Sequence, residues 1–404
     1  MEHRLVTGIE KALGWDGPGA IGRAFARGQL PEPDLAARLM TPHHLLDLVM
    51  RRHLANPQLR CYATGEELHP SEYLTEVVNR RRQAVKQADM ASLGRILSAG
   101  GSLVLDSVDT FDPTLEVACR ALGWWSGELV SVNAYLGVGD TAGFGLHWDD
   151  HDVICVQVSG QKAWEVRGPS RPVPMYRDAE RNLTPAEDVL WAGVMNPGDV
   201  IHIPRGYWHT ATRVGSGDDG HTLHVTFGLT RRTPVSWIAA LADTARADQL
   251  MRTDLETADG VPANDLLVGR LAELAREHDP ATYLAATRAS TPPARHLPHI
   301  PALGPLEAVA AVTEFAPEIT TTADGVLVVA GGKRLTFRSR AEQPLRTLLS
   351  GHPVHLAHGG TDLAALADHL VKEGLCAPLN GDSPSGYTGL VPAVTYSPRP
   401  STSA

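Results

Sequence analysis

Gly145-Leu146-His147-Trp148-Asp149-Asp150-His151-Asp152 and Pro197-Gly198-Asp199-Val200-Ile201-His202-Ile203-Pro204-Arg205-Gly206-Tyr207-Trp208-His209 decide how this chain is read. The first stretch carries His-x-Asp, and the second ends in a histidine beyond a turn made of Pro and Gly. Alternate side chains of an extended strand share one face. His147 and Asp149 therefore point the same way, about 7 Å apart along the backbone. A histidine delivered by a distant strand, His209, sets two imidazoles and one carboxylate on one side of a cation. That facial set suits non-haem Fe(II) and leaves positions open for a co-substrate and O2. Thiolate-poor surroundings argue against a structural zinc.

The surrounding composition is that of an ordinary soluble protein. The chain has 404 residues, enough for two or three domains, with 43% hydrophobic and 20% charged side chains. Its 36 basic and 46 acidic residues leave a formal charge of -10, which does not suit a protein held on nucleic acid. Cys61, Cys119, Cys155 and Cys376 lie far apart without a C-x-x-C, and read as reduced thiols. The first residues, MEHRLVTGIEKALGW, carry charges where a signal peptide needs an apolar core. No apolar run reaches the length of a membrane span. A cytoplasmic globular protein is expected.

Outward from the two stretches, short strands follow one another. Ser102–Leu105, Leu129–Leu136, Asp152–Val158, Lys162–Val166, Asp199–Ile203 and His221–Leu229 alternate with Gly-rich turns. Apart from a helix at Pro113–Leu122, helical periodicity is absent there, which indicates an antiparallel barrel or jelly roll. Residues 1–60 read as helices broken by Gly and Pro, with Ala20–Gln29 and Pro33–His53 among them, and Ser71–Ile96 continues helical. The run Asn79-Arg80-Arg81-Arg82-Gln83 then gives that helix a basic, solvated face. After the barrel, Trp237–Met251, Asp254–Glu277 and Pro280–Ala289 have helical period, and Thr291–Pro298 is a Pro-rich linker. A hairpin at Val326–Phe337 and helices at Glu342–Ser350 and Thr361–Glu373 suggest a winged-helix module. Asn380–Ala404 is rich in Pro, Ser and Gly and reads as disordered.

One further residue bears on the chemistry. Lys162 stands on the next strand but one, where its ammonium would face the barrel interior. A buried lysine is costly unless something anionic meets it. A dicarboxylate would do so, chelating iron at one end and pairing with Lys162 at the other. The motifs N-x-Y at Asn133–Tyr135, H-x-D-x-H-D at His147–Asp152, Q-x-x-G-x-K-x-W at Gln157–Trp164 and PGD…IPRG-x-x-H at Pro197–His209 resemble one family. It is the Jumonji-C/cupin oxygenases, in particular the ribosomal oxygenase branch, and the likeness covers about residues 95–235.

The resemblance implies a double-stranded β-helix core and Fe(II) held by His147, Asp149 and His209. It implies 2-oxoglutarate and O2 as co-substrates, with Lys162 on the distal carboxylate and Asn133 and Thr226 completing the polar lining. Thr222 competes for the place of Thr226. His151 shares parity with His147 and Asp149 and is a rival ligand, with a hydrogen bond to Asp149 or Asp152 the favoured role. His202 reads as a half-buried strand histidine, His221 and His224 as structural, and Trp148, Trp164, Tyr207 and Trp208 as packing.

The implied organisation is an N-terminal helical region (1–94), the catalytic barrel (95–235), a helical dimerisation region (236–290), a winged-helix-like domain (300–379) and a tail (380–404). The implied activity is hydroxylation of a protein side chain, with a ribosomal protein the favoured partner and a homodimer the favoured assembly. Tailoring of a peptide or amino acid and demethylation of N-methyl-lysine use the same iron chemistry. A ligand-sensing cupin with a DNA-binding winged helix is the non-enzymatic alternative.

Overall fold

A computed structural model of the chain describes residues 1–139, 142–175, 183–213, 220–255, 264–293, 296–357, 359–381 and 386–396. Contacts divide it into two units, 1–230 with 379–394 and 231–378 with 395–404. The first unit has strands β1 (Ala26–Gln29), β2 (Leu59–Ala63), β3 (Glu66–Glu67), β4 (Leu74–Val78), β5 (Ala84–Ala88), β6 (Ser102–Leu105) and β7 (Leu129–Val138). It continues with β8 (Ala142–His147), β9 (Asp152–Gly160), β10 (Lys162–Pro169), β11 (Val189–Met195), β12 (Asp199–Ile203), β13 (Tyr207–Arg213) and β14 (His221–Thr230). Helices α1 (Arg4–Leu13), α2 (Asp34–Leu39), α3 (Pro42–Arg51), α4 (Met90–Ser98) and α5 (Pro113–Ser126) accompany them.

Two antiparallel sheets face each other. The larger runs β1-β12-β9-β14-β7-β6-β2-β3, and the smaller runs β11-β10-β13-β8. This is the jelly-roll layering that the strand succession predicts. The large sheet is covered on both faces, so β9 reads as an almost continuous apolar run. The outer residues of β7 and β14, Val132, Ala134, Val225 and Phe227, are fully buried, with α5 packed against β7, and α2 against β9. The alternate residues of the same strands point inward. One end of that interior is filled by Val153, Cys155, Trp164, Val166, Met195, Ile201 and Ile203. The other end is where polar side chains collect.

The N-terminal region differs from its helical expectation. β1 pairs with β12 and β2 with β6, so both are strands of the large sheet. Ser71–Ile96 is not one helix: β4 and β5 form a hairpin, and α4 begins only at Met90 with Asp89 as its cap. The reason is the basic run itself. Asn79 Oδ1 accepts the amides of Arg81 (2.9 Å) and Gln83 (3.1 Å), and Arg82 takes a φ of 58°, so the arginines sit on a turn. The flanking Thr75, Val77, Val78 and Val85 are β-branched and favour strand.

The tail also departs from its reading. Tyr387, Leu390 and Val391 are buried, the carbonyl of Leu390 accepts the amide of Arg4 (2.9 Å), and Tyr387 accepts from Arg120 (2.8 Å). Three apolar anchors outweigh a Pro- and Gly-rich composition. Residues 382–385 and 397–404 of the expected disordered segment lie outside the described residues.

The second unit contains α6 (Pro234–Ala245), α7 (Asn264–Glu277) and α8 (Pro280–Ser290), close to the three expected helices. Residues 256–263 of the second expected helix, and 294–295 of the Pro-rich linker, lie outside the described residues. Beyond come β15 (Ala308–Ala311), β16 (Glu318–Thr322), β17 (Gly325–Ala330), β18 (Lys333–Phe337), α9 (Glu342–Leu348), β19 (Val354–His355), α10 (Gly360–Lys372) and β20 (Cys376–Pro378). β17 and β18 form the expected hairpin, with β16 adding a third strand. Among the described residues no helix is long and apolar enough to cross a membrane.

Candidate active site

A cavity of about 650 Å³ opens between the sheets at their polar end. Strand parity lines it: Ser131, Asn133 and Tyr135 come from β7, His224, Thr226, Gly228 and Thr230 from β14, and Val153 and Cys155 from β9. β8, β10 and β13 of the small sheet form the facing wall.

His147 closes β8 and lies directly opposite His209 in the β8–β13 register, their ring centroids 4.3 Å apart. His209 is therefore inside a strand, not at the end of the preceding turn. Asp149 lies two residues past the end of β8, with its Oδ2 3.5 Å from His209 Nε2. One ligand atom from each of the three lies within 4.8 Å of the others. His147 Nδ1 donates to the carbonyl of Gly145 (2.8 Å) and His209 Nδ1 to that of Tyr207 (3.1 Å). Both rings are thereby set in the tautomer whose Nε2 carries a free lone pair. Burial, reinforced by neighbouring His147, pulls the His209 pKa down to about 4 against the opposing pull of Asp149. The ring is neutral at physiological pH, as a metal ligand must be.

The second quoted stretch now has a structural meaning. The turn after β12 is tied to the segment after β8: the amide of Gly206 donates to the Asp149 carbonyl (2.9 Å), and that of Arg205 to Asp152 Oδ1 (3.2 Å). Gly206 needs its φ of 83°, and a Cβ there would run into Pro174. The two halves of the triad are thus pinned together by two main-chain amides, one on the Asp149 carbonyl and one on the Asp152 carboxylate. His202 is fully buried rather than half-buried. Its Nδ1 donates to the Ala24 carbonyl and its Nε2 accepts from Gly22, which makes it structural. His151 lines the cavity but stays outside the converging group. Its nearest acid is Asp150 (3.6 Å), not Asp149 or Asp152, and its ring lies against Gly228.

Lys162 opens β10. Its Nζ is 3.3 Å from His224 Nδ1 and about 6 Å from the rings of Tyr135 and Trp164. Among the described residues no carboxylate pairs with it, and burial lowers its pKa to about 8. The Q-x-x-G-x-K spacing places it. Gln157 Nε2 donates to the carbonyls of Ser159 (2.9 Å) and Gly160 (3.0 Å), holding the turn just before the lysine. The Gln157 carbonyl also receives the amide of Gly198, so the Pro-Gly-Asp turn is fastened to the same point.

Asn133 and Thr226 face the cavity from directly opposed positions on β7 and β14. Asn133 Oδ1 accepts the Ser107 amide (2.9 Å), and the Thr226 hydroxyl donates to Cys155 Sγ (3.4 Å). Thr222, the competitor, receives Gln157 Nε2 (2.9 Å) and does not line the cavity. Trp164 and Trp208 are buried as expected of packing residues. The Trp164 indole N–H is buried without an acceptor among the described residues, although the ring lines the cavity.

Sequence reasoning set His224 aside, yet it lies on the cavity beside Lys162. Its parity with Thr226 was the available signal. It also missed the outer wall, where Arg60 grips Asp106 through two 3.0 Å hydrogen bonds and Phe144 packs between Tyr62 and His147.

Two facing antiparallel sheets with a His-x-Asp/His group between them make a jelly roll whose interior presents a donor set that could hold a metal ion. Residues 114–236 match the JmjC domain, so the chain carries a domain of that family. Ribosomal oxygenase 1 of Gallus gallus is 32% identical over 209 residues, covering 50% of this chain and 33% of that protein. The bifunctional lysine-specific demethylase and histidyl-hydroxylase NO66 of Caenorhabditis briggsae is 33% identical over 136 residues, covering 32% of this chain and 17% of that one. The chain thus spans a third or less of the length of these relatives. Among solved structures, Escherichia coli ribosomal oxygenase YcfD superposes with a TM-score of 0.55 at 16% identity, covering 94% of this chain and all of that one. A structure of YcfD with cobalt and 2-oxoglutarate gives 0.52 at 15% identity, covering 88% and 95%. At these identities the structural likeness shows the fold.

Proposed function

We propose that this chain is an Fe(II)- and 2-oxoglutarate-dependent oxygenase that hydroxylates a protein side chain. A single observation carries the reading. Two imidazoles and a carboxylate converge on one wall of a cavity whose lining includes an ammonium with no carboxylate partner among the described residues. His147, Asp149 and His209 would hold the iron, a donor set that hard-to-borderline Fe(II) accepts. Lys162 would receive the far carboxylate of 2-oxoglutarate, and the anion would offset the cost of burying the ammonium. Asn133 and Thr226 would supply polar lining between them. When bound, iron and co-substrate supply the oxidising power of O2, with succinate and CO2 as co-products, which no side chain can do.

The chain's own contribution is placement and dryness. The main-chain ties at Gly206 and Arg205 fix the ligand spacing, and the apolar cluster behind Trp164 keeps water from the back of the cavity. Asp149 supplies the negative charge that partly offsets the metal's.

The names of the relatives support a ribosomal protein as substrate. A basic ribosomal partner would be steered to a chain of charge -10. A cytoplasmic location agrees with such a partner. We assign α6–α8 to dimerisation, because Val235, Ile238, Leu266, Val268 and Leu271 are each about half exposed or more. The β17–β18 hairpin with α9 and α10 is assigned to a winged-helix-like domain.

The test is anaerobic binding of 2-oxoglutarate in the presence of Fe(II), followed by succinate formation on admitting O2 with host ribosomal proteins. Binding, succinate, and one added oxygen on a ribosomal side chain are expected. Absence of 2-oxoglutarate binding overturns the reading.

A further inference from the structure

We propose that His224 is the positioning residue for Lys162, an uncharged acceptor that aims the ammonium while leaving its charge for an incoming carboxylate. This rests on the reading of Lys162 as the diacid's partner.

The geometry is specific. His224 Nδ1 is 3.3 Å from Lys162 Nζ, and an ammonium can only donate, so the ring accepts there and keeps its proton on Nε2. The ring cannot turn freely. It stacks on Tyr135 at 4.6 Å with an interplanar angle of 7°, and it meets Trp164 edge-on at 5.5 Å and 79°. Its backbone is in mid-strand, opposite Tyr135 on one side and Gln157 on the other. Gln157 in turn holds the turn that leads into Lys162. The aimed group and the group that aims it therefore hang from one braced frame.

The choice of imidazole has a physical reason. A carboxylate in that place would pair permanently with Lys162 and compete with the ligand's own carboxylate. An apolar side chain would leave the ammonium's N–H bonds unmet and favour the neutral amine. A neutral ring avoids both. The titratable groups facing the pair are Tyr135 from β7 and Cys155 from β9, with Asp149 beyond them. Burial raises the pKa of both Tyr135 and Cys155, so neither supplies a negative charge near neutrality. Burial and the nearby ammonium keep His224 itself uncharged.

The experiment is calorimetric binding to the full chain loaded with Mn(II), without O2, using 2-oxoglutarate and 2-oxobutyrate. The second compound keeps the chelating end and lacks the far carboxylate. In His224→Phe, which keeps a ring to stack on Tyr135, 2-oxoglutarate is expected to bind about tenfold more weakly, the worth of one hydrogen bond to a charged group. Affinity for 2-oxobutyrate should not change. The pH at which 2-oxoglutarate affinity begins to fall should move below that of the unaltered chain. His224→Asn, whose Oδ1 can stand where Nδ1 stood, should restore both the affinity and the pH limit.

Equal weakening of both ligands in His224→Phe would show mere loss of packing and overturn the assignment. So would an unchanged 2-oxoglutarate affinity and pH limit. If the unaltered chain binds the two ligands equally, Lys162 is not the diacid's partner, and both readings fall.

Discussion

At the scale of single residues, Lys162 gives the sharpest expectation because its pKa has moved. A free lysine side chain titrates near 10.4, and burial brings this one to about 8. Between those values the unfolded chain holds the proton more firmly than the folded one. Stability should therefore rise as pH climbs through that window, and the penalty is fully present below it. Ligand binding runs the other way, since the diacid needs the ammonium. Affinity for 2-oxoglutarate should be flat below about pH 8 and fall about tenfold per unit above it. Lys162→Met should remove the pH-dependent gain in thermal midpoint and weaken 2-oxoglutarate at least tenfold; melting curves and titration calorimetry across pH check both. Asp149→Ala should abolish succinate formation and metal retention while leaving the melting temperature within a few degrees, as metal analysis and calorimetry would show. His147, Asp149, His209 and Lys162 were legible in the sequence because short spacings of unusual residue types announce themselves. His224 was not, because its significance depends on which strand lies across from it. Asn133 shows the same limit: its carbonyl is taken by the Ser107 amide, a contact no spacing predicts.

At the scale of elements, the turn between β9 and β10 carries the most leverage. Gly160 has a φ of 62°, and a Cβ there would stand 1.8 Å from the His221 carbonyl oxygen. Gly160→Ala must shift either β14 or the start of β10, and both carry site residues. It should cost more than the 1–2 kcal/mol or so of a left-handed non-glycine residue alone, and it should weaken 2-oxoglutarate binding even where the protein remains folded. Denaturant melts and binding titrations on one preparation separate the two effects; a variant with full stability and affinity would show that the turn has slack. Strands with dense apolar residues, such as β9 and β14, were legible from sequence. Of β8 only the His147 end was read as strand, since its Ala-Gly-Phe-Gly-Leu-His sequence holds two glycines and little β-propensity. The β4–β5 hairpin was read as helix because helical spacing and strand alternation coincide over short runs. Asn79, which closes that turn through its own side chain, was the overlooked signal.

At the scale of the whole molecule, composition set the expectation of two or three domains, but it did not show how the ends are used. The tail's Pro, Ser and Gly content concealed Tyr387, Leu390 and Val391, three side chains that join the first unit's core. Composition likewise says nothing about which apolar residues stay uncovered, and that bears on assembly. In the second unit Leu241 and Leu274 are buried within the packed α6–α8 group. Val235, Ile238, Leu266, Val268 and Leu271 remain exposed on α6 and α7. Helices that retain that much apolar surface are suited to self-association, which has to overcome the mutual repulsion of two chains of charge -10. The unaltered chain is expected to sediment as a dimer at micromolar concentration. Ile238→Glu combined with Leu271→Glu should shift it to monomer, since two carboxylates cannot be desolvated cheaply in an apolar contact. Because both side chains are exposed, circular dichroism of the variant should match that of the unaltered chain. Its affinity for 2-oxoglutarate should also be retained, since the described residues that line the cavity belong to the first unit. A monomeric unaltered chain, or a variant still dimeric at the same concentration, would remove α6 and α7 from the interface.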